Sequence, residues 1–196
     1  MKLPDKSVFK RIFLFVGLGL IAVALIAFLV WQWRIYAAKQ QAEDCVTLLR
    51  TLIPSPQGAV LEERRDNTMS VLAVDGTDFI GILEMPYYDS ALPVGADWGN
   101  SAQYPCRFDG SIYDGSIQIG TTSQAGQYDF YRELSVGDQL FFTDVTGNRY
   151  AYSITNLYHD DHADQAALER QEADLTIFIK NVYATEYIIL FCDSVG

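Results

Sequence analysis

Thiols, imidazoles and cations are all scarce in this 196-residue chain. It has three cysteines, Cys45, Cys106 and Cys192. Three cannot all pair internally and their spacing matches no zinc template, so neither a disulfide framework nor a structural zinc organises the fold. The plain reading is reduced thiols packed as small hydrophobes; outside the cell one bridge, Cys106 to Cys192, is open to them. The two histidines, His159 and His162, share one acidic stretch, which leaves no Cys–His pair in evident reach. Lys and Arg number 14 against 25 Asp and Glu, for a net charge of −11. Four of those cations and one anion precede residue 12, so the remainder is more acidic still. Such a surface repels nucleic acid and anionic headgroups, which argues against a DNA-binding role. Repeats and low-complexity segments are absent. With 49% hydrophobic and 20% charged residues, one ordinary domain with a real core is expected rather than disorder.

Long apolar runs are also lacking, with one exception. Lys2, Lys6, Lys10 and Arg11 precede an uncharged stretch from Ile12 to Trp31. At 1.5 Å rise per residue it spans about 30 Å, the hydrocarbon thickness of a bilayer. Trp31, Trp33 and Tyr36, with Arg34 among them, form an interfacial belt. Cations before the run and acid after it place the N-terminus in the cytoplasm and the rest outside. A cleaved signal peptide is the rival reading, but the run is too long and no small-x-small site follows. The helix is expected to continue to about Leu52, with a partly helical apolar face of Val46, Leu48, Leu49, Leu52 and Ile53, until Pro54 and Pro56 stop it. From Ser55 to Asn67 the chain is polar and reads as a linker. The layout is a cytoplasmic N-terminus over 1–11, a transmembrane helix over 12–33, a juxtamembrane helix and linker over 34–68, and a β domain over 69–196.

Within that domain short strands alternate with turn signals, the pattern of an all-β sandwich or barrel. Strands are expected at Ser70 to Val74, Phe79 to Met85 and Ile117 to Thr121, with Asp89 to Gly115 irregular. Gln139 to Thr143 and Arg149 to Leu157 form a hairpin around Gly147-Asn148. Asp160 or Asp161 caps a helix carried by Ala163 to Ala173. The stretch LTIFIKNVYATEYIILFC (Leu175 to Cys192) reads as two strands. Its β-branched and aromatic residues suit a sheet interior covered on both faces.

These pieces in this order resemble the sortases, membrane-anchored cysteine transpeptidases of Gram-positive surfaces. VLAVDGTDFIGILEMP (Val71 to Pro86) and the following ALPVG look like the family's opening strands. YPCRFDGSIYDGSIQIG (Tyr104 to Gly120) is similar to the approach to its histidine strand. LSVGDQLFFTDVTGNRYAYSI (Leu134 to Ile154) resembles its L-x-x-G-D turn and hairpin, and LTIFIK sits where the family writes Thr-Leu-x-Thr-Cys. The resemblance implies a closed eight-stranded β-barrel with short helices behind one N-terminal transmembrane helix. The helix before the last two strands looks more like class B than class A.

The resemblance stops at the chemistry. The family's cysteine falls on Lys180, its histidine on Thr122 (Thr121 if shifted by one) and its arginine on Tyr187 (or Glu186). Thr122 cannot carry a proton as imidazole does, an amine offers no route to a thioester, and Tyr187 donates one hydrogen bond rather than a bidentate pair. Losing members of such a unit costs several powers of ten in rate. No catalytic residue and no cofactor are therefore expected, and the implied role is binding or scaffolding at the cell surface. The implied partner is an extended peptide, a surface protein or pilus component, or an active sortase. The alternatives are an active cysteine transpeptidase and a hydrolase built on a Lys180–Thr122 pair. As a metal site, His159, Asp160, Asp161, His162 and Asp164 would hold calcium or zinc. Otherwise they form a solvated helix N-terminus. Trp98, in Asp97-Trp98-Gly99-Asn100, either contacts a ligand or packs over the barrel.

Overall fold

The computed structural model describes residues 6–55, 57–58, 68–121, 133–180 and 186–195. The chain divides into two units, Met1–Ala37 and Ala38–Gly196. The first element is a helix, α1 (Lys6–Leu52). Its N-terminal part is long and apolar enough to cross a membrane by length and composition, and the large apolar side chains from Phe13 to Trp33 are exposed.

Among the described residues ten strands follow: β1 (Gln57–Gly58), β2 (Leu72–Val74), β3 (Thr77–Met85), β4 (Ser90–Gly95), β5 (Cys106–Asp109), β6 (Ile117–Thr121), β7 (Gln139–Asp144), β8 (Asn148–Asp160), β9 (Leu175–Lys180) and β10 (Tyr187–Ser194). Eight of them close a ring in the order β8-β10-β9-β6-β5-β4-β3-β7, with β7 returning to β8. The closed eight-stranded barrel is therefore present, and closure leaves the main ring without a free edge. The two short strands are appended, β1 parallel to β8 and β2 antiparallel to β3.

The two-residue period of each strand sorts its side chains between faces. Ile177, Ile179, Ile188, Leu190 and Cys192 join the barrel interior with Ile119, Leu140 and Phe142. The alternate residues Phe178, Ile189 and Phe191 pack outside the ring with Ala167 and Leu168. Both faces of β9 and β10 are thus covered, as their composition predicts. The β7–β8 hairpin turns at Gly147, whose φ of +91° suits glycine. Asp144, 2% exposed, ties the turn by accepting from the Thr146 and Asn148 amides, each at 2.9 Å.

Three expectations are revised. The segment 89–115 holds β4 and β5; β4 contains Pro93 and β5 is four residues long, so neither shows a clean alternation. The helix over 163–173 is the single turn α2 (Gln165–Leu168). Asp164 caps it by accepting from the Ala167 amide at 2.9 Å, while Asp160 lies in β8, which β10 pairs as far as Tyr187. In the helix expected to continue to Leu52, Leu48 and Leu52 of the expected apolar face are exposed. Ala42, Val46, Leu49 and Ile53, spaced by four, three and four residues, are buried, and the last three pack on Val74, Phe79, Ile82 and Tyr104. Arg50 adds an ion pair to Glu84 at 2.6 Å, and Glu84 also faces Arg149 at 3.3 Å. Glu62 to Asp66 of the expected linker, and Ser123 to Tyr128, which the sequence suggests as a loop, lie outside the described residues.

Leu49 is fully buried at the helix–barrel contact. Leu49→Ala is expected to cost about 2–5 kcal/mol, the range for a buried leucine. Urea or thermal unfolding in detergent measures it. A change within about 0.5 kcal/mol, usual for surface sites, would mean the helix is not docked.

Candidate functional site

The positions singled out by sequence gather where β6 and β9 end and β10 begins. β6 and β9 run parallel, with Thr121 level with Ile179. β10 returns antiparallel to β9, placing Tyr187 directly opposite Lys180, and Tyr187 is in turn opposite Asp160 of β8. Lys180 is the exposed last residue of β9, beyond five buried ones. Tyr187 is half-buried, its ring 6.5 Å from that of Phe178. Thr122 lies outside the described residues. Thr121, its alternative, is 1% exposed and donates its hydroxyl to the Ser101 carbonyl at 3.0 Å, a structural bond. Glu186, the alternative to Tyr187, faces His159 at 3.7 Å. It is a carboxylate and cannot stabilise an oxyanion.

Beneath this rim an aromatic group covers the outer face. Phe178 is level with Gly120, and its ring occupies the space a side chain there would fill. Trp98 and Phe108 close over it, with ring centroids 5.5 and 5.4 Å from Phe178 and 5.0 Å from each other. Trp98 therefore packs over the barrel. Sequence reading missed two members of this surroundings, Phe108 and Arg170. Arg170 pairs with Asp160 at 2.9 Å and lies over the Tyr158 ring at 5.3 Å. It falls within the stretch expected as helix, which breaks off at Leu168, so its partner was not legible.

The thiols are elsewhere. All three are free. Cys106 is level with Gly120, Gly120 with Phe178, and Phe178 with Ile189, so Cys192 is three strands away and three residues further along. At about 4.8 Å per strand that is about 14 Å across the sheet, twice the roughly 7 Å Cα limit of a disulfide. The proposed Cys106–Cys192 bridge does not form. Burial pushes the Cys106 thiol up to about 12, partly offset by a backbone hydrogen bond from Gly95. Burial also raises Cys192, and burial with Asp75 raises Cys45 to about 11.

The acidic loop does not assemble as a metal centre. Among the described residues no group of three or more His, Cys, Asp or Glu is placed to hold an ion. Asp160 is engaged by Arg170 and accepts from the His162 amide at 3.2 Å, His159 turns to Glu186, Asp164 caps α2, and Asp161 is exposed. Their separation follows from β8 extending through Asp160, which sends neighbours to opposite faces.

No protein-family model matches the sequence and no curated protein is similar to it. Among solved structures the chain is similar to a Clostridium perfringens sortase D5 transpeptidase, at 15% identity and TM-score 0.51, over 61% of this chain and 80% of that one. It is similar to sortase C1 from Streptococcus agalactiae, at 17% and 0.50, over 63% and 71%. It is also similar to Clostridium perfringens sortase C, solved with the C-terminal cell wall sorting motif, at 18% and 0.50, over 61% and 72%. The barrel is a sortase-fold barrel.

Two measurements check this geometry. A Lys180→Cys, Tyr187→Cys double variant should form an intramolecular disulfide on mild oxidation, since facing residues on antiparallel strands lie about 4.5–5.5 Å apart; failure to crosslink would break the register. The second concerns pH. The folded Cys106 thiol holds its proton from its ordinary 9.0 up to about 12. The unfolded chain loses that proton first, so stability is full below about pH 9 and falls as pH rises toward 12. The slope approaches about 1.4 kcal/mol per pH unit for each such thiol. Replacing Cys106 with Ala should remove its share of the slope in alkaline urea titrations.

Proposed function

We propose that this sortase-fold chain is a membrane-anchored protein of the cell exterior that does not catalyse transpeptidation and instead binds or scaffolds surface-protein or pilus components. The observation that carries the reading is the Lys180–Tyr187 pair at the ends of β9 and β10, where the fold resemblance puts a nucleophilic thiol and an arginine. Acyl transfer needs a thiolate or a group that readily becomes one, together with an acid for the leaving amine. Each thiol of this chain is held protonated by burial, and Cys106 and Cys192 are sealed inside the barrel unit. The lysine-hydrolase reading is less well supported, because an amine becomes a base when burial strips its proton and Lys180 is exposed. The basic residues before Ile12 and the acidic remainder support an inward N-terminus and an outward barrel. The exterior face above Phe178 is where an extended peptide would lie.

Incubating the full-length protein in detergent with a sorting-signal peptide and an amine acceptor should give no cleavage or ligation above buffer, followed by mass spectrometry. Turnover would overturn the reading. At neutral pH a thiol-reactive probe should label the half-buried Cys45 about a hundredfold more slowly than an ordinary thiol, the thiolate deficit that two pKa units impose. One fast cysteine would restore the cysteine-enzyme alternative.

A further inference from the structure

We draw no further inference here: the strongest candidate, the cleft of about 500 Å³ between α1 and the segment joining β3 to β4, is lined by the exposed charges Lys39, Glu43 and Asp89 and by Arg50 and Glu84, already paired with each other, and nothing in the structure shows what fills it.

Discussion

The two-sided burial of β9 is the constraint from which the other features follow. Its odd residues fill the barrel and Phe178 packs outside it, so five consecutive positions are buried. Such a strand must be flanked on both edges, and β6 and β10 supply the hydrogen bonds. Once that triple is set, β6 and β9 end and β10 begins together at one rim. Lys180 is the first position at which the strand is free to be wet.

That placement separates the residues that pack the barrel from those that stand at its rim. The residues that make the ring are interior ones, and any substitution among them opens a cavity or strands a polar atom. The rim residues carry little of that packing. An amine at the end of β9 leaves Ile177 and Ile179 where they are, whereas a charge two residues earlier would not be tolerated. Fold and reactivity are therefore separable here in the literal sense that different residues hold them.

Legibility followed the same division. β9, β10 and the β7–β8 hairpin were readable because alternation, β-branching and the Gly147-Asn148 turn all favour one answer. β4 and β5 were not, since Pro93 interrupts one and the other is four residues long. The apolar face of the helix was visible in part: Val46, Leu49 and Ile53 are buried while Leu48 and Leu52 are not, and periodicity cannot name the surface covered, which proves to be Val74, Phe79, Ile82 and Tyr104. The acidic segment after Leu157 suggested a helix cap. It is drawn instead into β8 as far as Asp160 because β10 is long enough to pair with it. At the rim, register sets Tyr187 opposite Lys180, while Arg170 and Phe108 arrive through tertiary packing that no local pattern encodes.

The enclosure of Cys106 and Cys192, each with no exposed surface, has a consequence for durability. Sulfur oxidation requires ionised, accessible thiols, and a mixed disulfide requires an attacker to reach the sulfur. A barrel with its sulfur shut in this way keeps the same covalent structure in a reducing or an oxidising medium, and its integrity needs neither an oxidant to mature nor a reductase to repair.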